Sequence, residues 1–132
     1  MNASLWASGF APGSHLIEAH GRGAFAFAGM SHDGSILATP QGVRAIEAKR
    51  VGDLDQRVLS PLFAEVAEAP RSIEFLVVGT GAETAPIPKA LSAALREAGL
   101  RFETMATGPA LRVYNVMVSE GRRVAAALIA AP

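Results

Sequence analysis

With 132 residues, half of them apolar and 18% charged, the chain is long enough for one folded domain with a real core and too apolar for a disordered segment. Twelve Lys plus Arg balance twelve Asp plus Glu, so no net field draws it to nucleic acid or to an anionic membrane surface. The absence of cysteine excludes disulfides, thiolate metal sites and a cysteine nucleophile, and it suits a reducing, cytoplasmic setting.

Residues 1–14 read as a flexible N-terminal segment and residues 15–132 as a single domain. Met1 to Phe10 contain no Lys or Arg and no continuous apolar stretch, so they match neither a secretory signal nor an Arg-rich transit peptide. From Leu16 to Glu47, short strand-like pieces alternate with Gly-rich breaks. Asp33-Gly34, between Phe25-Ala26-Phe27 and Ser35-Ile36-Leu37, carries the strongest hairpin signal. Three or four antiparallel strands are expected there, the last near Val43 to Glu47 after a Pro40-Gln41-Gly42 turn.

After Gly52 the period changes. Ser60-Pro61 reads as an N-cap followed by proline at the first helical position, opening a helix to Glu68 with Leu62 and Val66 inward and Glu65 and Glu68 in water. Ile73 to Val78 is apolar apart from Glu74, as a strand covered on both faces would be, and it runs into Gly79-Thr80-Gly81. Pro88 to Ala98 places Leu91, Ala94, Leu95 and Ala98 on one helical face before the stop at Gly99. Arg101 to Met105 alternates as a strand, and Thr107-Gly108-Pro109 opens a third helix to Glu120. Val124 to Ala131 is an apolar run far shorter than the roughly 20 residues of a membrane span, so it reads as a buried strand. The αβαβαβ order predicts an α/β fold: one three-layer domain with a central mixed β-sheet, helices on its faces and an N-terminal antiparallel β-hairpin region.

Gly79-Thr80-Gly81, Glu103 and Met105 ahead of Thr107-Gly108, Arg112, Tyr114-Asn115 and Glu120-Gly121-Arg122-Arg123-Val124 occur in a distinctive order and spacing. From Ile17 to Ile129 the chain resembles the small bacterial and archaeal proteins of unknown biochemical function related to the mitochondrial NADH dehydrogenase (ubiquinone) complex I assembly factor 3. The resemblance implies a three-layer α/β fold and, for the mitochondrial member, a non-catalytic role in assembling a respiratory complex beside a partner factor. Val113 stands where relatives often carry a hydroxyl residue, and the cysteine some of them have nearby is missing.

Gly79, Thr80, Gly81, Thr107 and Gly108 would lie past the carboxyl ends of strands, where open α/β sheets bind ligands. With Arg112, Tyr114 and Asn115 they form the candidate ligand site. An anion at the start of the third helix, held by free N–H groups and Arg112, is one reading of it. The other is structural: the glycines shape turns, Thr107 caps the helix, Arg112 pairs with a carboxylate, and Tyr114 and Asn115 satisfy buried backbone groups. Arg112, Asn115 and Ser119 form a narrow polar stripe on an otherwise apolar helix.

Ser31-His32-Asp33 has the composition of a catalytic triad, but neighbours in sequence do not converge in space. His15, His20 and His32 lack ligand spacing, so neither a metal nor a cofactor is expected. Asp53, Asp55, Arg44, Lys49, Arg50, Arg122 and Arg123 read as solvated surface. The expectation is a non-enzymatic protein-interaction or assembly factor without a transmembrane segment, with peripheral membrane association left open and an apolar patch sought among Phe10, Phe25, Phe27 and Met30. The alternative is a small-molecule or anion-binding protein, or a cryptic enzyme, using the Gly-Thr-Gly and Thr-Gly loops.

Overall fold

In the computed structural model, which describes residues 9–132, alternation of apolar side chains within each inner strand sets the layering. Along Val124–Leu128 (β9), Val124, Ala126 and Leu128 turn to one side of the sheet and Ala125 and Ala127 to the other, and all five are buried. Ile36–Thr39 (β5) and Phe75–Gly79 (β7) alternate in the same way, because successive strand residues point to opposite faces. These strands form the middle of a six-stranded sheet completed by Phe10–Pro12 (β1), Gly42–Ala45 (β6) and Phe102–Met105 (β8), in the order β1-β6-β5-β9-β7-β8. β7 is parallel to both β8 and β9, and the remaining neighbours are antiparallel.

Two helices, Ser60–Glu68 (α1) and Lys89–Glu97 (α2), cover one face with Leu62, Leu91 and Leu95. The other face receives Thr107–Ser119 (α3) and a separate three-stranded antiparallel sheet of Ile17–Gly21 (β2), Ala24–Phe27 (β3) and Met30–Asp33 (β4). Ala110, Leu111, Tyr114 and Met117 of α3 share that core with Ile17, Phe25 and Phe27. The predicted three-layer mixed α/β architecture is therefore the one observed.

Four details differ from expectation. Asp33-Gly34 does not close a hairpin; it carries the chain from the small sheet into β5 of the large one. The tight two-residue turns of the small sheet are instead Arg22-Gly23 and Ala28-Gly29, with φ of 53° and 75°, and 51° and 74°. Positive φ at both central residues is what matches a hairpin to strand twist, so two non-glycine residues accept the left-handed region for the sake of the pairing. Phe10–Pro12, inside the segment expected to be flexible, pairs with β6 as an edge strand, while residues 1–8 lie outside the described residues. Glu65, expected in water, is buried on α1. Phe25 and Phe27 are core residues, Met30 packs against that core, and Phe10 lies under the Arg44 guanidinium at 4.2 Å, so the apolar patch expected among them does not form.

Candidate functional site

Parallel pairing of β7 with β8 and β9 brings Gly79-Thr80-Gly81, Thr107 and the end of β9 to one edge of the sheet. Thr107 is fully buried, and its hydroxyl donates to the Ile129 carbonyl (2.7 Å) while accepting the Gly81 N–H (2.9 Å). The Thr107 N–H donates back to the Gly81 carbonyl (2.8 Å), and the Ile129 N–H donates to the Gly79 carbonyl (2.9 Å). One side chain thus ties the exits of three strands. A Cβ at Gly79 would lie 3.0 Å from the Thr107 Cα and Oγ1 and 2.9 Å from Leu128 Cδ2, so only glycine permits this approach.

Thr80 does the same for the following loop. Its hydroxyl donates to the Glu83 carbonyl (2.6 Å) and accepts the Ala85 N–H (3.1 Å), and its N–H donates to the Met105 carbonyl (2.8 Å). Thr107 does not cap its own helix; Ala106 holds the N-cap position without a side-chain bond. In the first turn, the Thr107 N–H is taken by Gly81, Pro109 has no donor and the Ala110 N–H is taken by Ala106. Gly108 alone keeps a donor for an anion. His20 Nε2 and Arg112 Nη1 lean over that glycine, at 3.2 Å and 3.8 Å from where a Cβ would sit.

Tyr114 and Asn115 point away from this loop cluster, toward the small sheet. The buried Tyr114 hydroxyl donates to the His15 carbonyl (2.9 Å), and burial raises its pKa from 10.0 to about 12. Asn115 Oδ1 accepts the Ile17 N–H (2.9 Å) while its Nδ2 donates to the Ile17 carbonyl (2.8 Å). The side-chain amide substitutes for a neighbouring strand and holds β2 against α3 across 98 residues of sequence. Ser35 is an anchor that sequence patterning missed: buried where the chain passes from the small sheet into β5, it donates to the Ala48 carbonyl (2.6 Å) and accepts the Ala130 N–H (3.0 Å). A serine after a glycine offers nothing in sequence to separate an anchor from an ordinary turn residue.

Of the candidate site, Arg112 alone presents an exposed charged group, and among the described residues it has no ion-pair partner. It borders a groove of about 610 Å³ between α3 and β8, with Arg101, Glu103, Val113, Val116 and Met117. Val116 is 56% exposed, so the second apolar side of α3 lies partly open rather than buried. A larger hollow of about 900 Å³ lies on the opposite layer near Phe63, Val66 and Ala94, and no candidate residue lines it.

Among the charged residues read as solvated surface, the two aspartates serve the backbone. Asp53 accepts the N–H groups of Lys49 and Arg50, which hold its carboxyl below the usual range, and Asp55 accepts that of Val58. Arg122 and Arg123 flank Glu74 at 2.8 Å and 3.6 Å, and the Arg122 hydrogen bond chiefly depresses that carboxyl's pKa. Ser31, His32 and Asp33 sit in β4, where neighbours point to opposite faces, and burial lowers the His32 pKa. Among the described residues, no cluster of three or more His, Cys, Asp or Glu could hold a metal, and no helix is long and apolar enough to cross a membrane.

An uncharacterised protein of Rhodobacter capsulatus is 37% identical over 124 residues, which is 94% of this chain and 90% of that protein. Among solved structures, a protein from Bartonella henselae described as an outer membrane protein superposes with a TM-score of 0.84 at 39% identity, over 92% of this chain and 98% of that one. The Rpa2829 protein of Rhodopseudomonas palustris gives 0.74 at 42% identity, over 92% and 90%. A protein of Bordetella pertussis described as a Mth938-like domain gives 0.73 at 27% identity, over 86% and 84%. Residues 17–129, the span given above for the resemblance, match the model of one family, and the chain accordingly belongs to the proteins of unknown function DUF498/DUF598.

Proposed function

We propose that the protein is a non-catalytic interaction or assembly factor of the cytoplasm, and that its working surface is the side formed by α3 and β8. The observation that carries this reading is the fate of the motif side chains. Thr80, Thr107, Tyr114 and Asn115 all bind the chain's own backbone, which leaves no hydroxyl or amide among them poised to attack or orient a substrate. Beside them, Arg112 and Val116 stand open over a groove that mixes charge with apolar surface, the composition of a protein contact. The resemblance to a complex I assembly factor points the same way and names respiratory-complex assembly as the process to examine first.

A second reading, binding of a small anion, draws on the unpaired Arg112 beside His20 and the Gly108 N–H. One backbone donor and one exposed guanidinium make a weak site, because a helix terminus contributes at most about 2 kcal/mol and a millimolar site needs roughly 4.

The deciding experiment is affinity purification of the full chain from its native cells, beside Arg112→Ala and Val116→Asp. Recovery of a stoichiometric protein partner with the parent chain and its loss with both variants is the expected result. Absence of any stoichiometric partner, a second copy of the chain included, or phosphate-induced shifts confined to His20, Gly108 and Arg112, would transfer the assignment to the second reading.

A further inference from the structure

β8 closes one end of the large sheet, with β7 on one side and, among the described residues, no strand on the other. The Leu76 N–H donates to the Arg101 carbonyl (2.9 Å) and the Thr80 N–H to the Met105 carbonyl (2.8 Å), so the odd-numbered residues of β8 face β7. The N–H and C=O groups of Phe102 and Thr104 therefore point to the open edge. Proteins usually guard such an edge with lysine, proline or a bulge. β8 carries none of these and pairs with β7 in unbroken register.

An antiparallel strand can join this edge only by setting even-numbered residues opposite outward-facing ones. For a second copy, that leaves twofold axes through Phe102, Glu103 or Thr104. The axis at Glu103 opposes two carboxylates in a non-hydrogen-bonded pair, where side chains come closest. The axis at Thr104 sets Glu103 against Met105 and leaves Arg101 with nothing opposite. The axis at Phe102 sets Arg101 opposite Glu103 twice, both side chains being exposed on the groove side of the strand. It also brings the two Phe102 rings together on the other side, beside Arg96, whose guanidinium lies 5.9 Å from the ring.

We infer that β8 pairs antiparallel with β8 of a second copy about Phe102, joining the two large sheets into one. The inference names the occupant of the α3–β8 surface and rests on the interaction role proposed above. The Arg101–Glu103 pairs select the register, and the open Val116 side of α3 flanks the seam.

Sedimentation equilibrium of the full chain, over a range of concentration and salt, tests this with Arg101→Glu, Glu103→Arg and the double exchange R101E/E103R. The expected result is a dimer weakened by salt, with each single change raising the dissociation constant about tenfold or more and the double exchange restoring it. Far-UV circular dichroism confirms that the single variants stay folded, and slower amide exchange at Phe102 and Thr104 in concentrated samples reads the seam without substitution. A chain monomeric at every concentration overturns the inference, as does a dimer indifferent to the single changes or one that the double exchange fails to restore. A monomer that still captures a different protein through Arg112 and Val116 would remove the self-pairing and leave the interaction role standing.

Discussion

Thr107→Val replaces one hydroxyl by a methyl of similar size at a fully buried position. The change strips the Gly81 N–H of its acceptor and the Ile129 carbonyl of its donor, both inside the protein. An unpaired buried backbone group costs about 1–3 kcal/mol. Burying the added methyl returns about 1 kcal/mol. With two groups left unpaired, the net expectation is a destabilisation of about 1–5 kcal/mol, a large share of the 5–15 kcal/mol or so that holds a domain together. Thr107→Ser keeps both bonds and loses only a methyl, for about 1 kcal/mol. Urea unfolding followed by far-UV circular dichroism measures both variants, with the denaturant slope expected to stay at its parent value. If valine is tolerated as well as serine, Thr107 is a packing residue and the knot of three strand exits described above is not what holds that edge together.

Further outcomes follow from the same geometry. Tyr114→Phe loses the bond to the His15 carbonyl and about 1 kcal/mol at neutral pH. Because the folded-state pKa lies above the unfolded value, Tyr114 contributes its full stability below pH 10.0 and loses up to about 3 kcal/mol as pH rises through about 12. The parent should therefore show an alkaline loss that the phenylalanine variant lacks, and equal losses in both would remove the assignment. Asn115→Leu breaks both bonds to Ile17 and should cost about 2 kcal/mol, with faster amide exchange at Ile17 as its local signature. Gly79→Ala forces a methyl against the Thr107 backbone and should cost about 1–3 kcal/mol in thermal or urea unfolding. An alanine variant as stable as the parent would show that Thr107 can yield.

Hydrophobic period made the second half of the chain legible. Leu91 and Leu95 one turn apart, the unbroken apolar stretch into Gly79, and the run after Arg123 each carry their own burial pattern, and all three elements form where expected. The first half was less readable because its strands are short and belong to two sheets. Asp33-Gly34 looks like a hairpin turn whether the flanking strands pair or part, and only packing onto β9 decides between them. Arg22-Gly23 and Ala28-Gly29 carry weaker local signals, yet they make the turns because the strands around them pair. At the candidate site, sequence named the residues but could not tell outward from inward. Thr107 and Arg112 lie five positions apart on one helix, and the first is sealed while the second is open to water.

β9 lies between β5 and β7, although it is the last of the strands along the chain. The earlier strands of the large sheet therefore make two separate ribbons, β1-β6-β5 and β7-β8, with no ladder between them until Val124–Leu128 slides in. During synthesis on the ribosome, the domain's interior cannot close before that segment emerges. A chain cut short ahead of Val124 would leave those two ribbons without the strand that joins them, each with a raw flank suited to unwanted association.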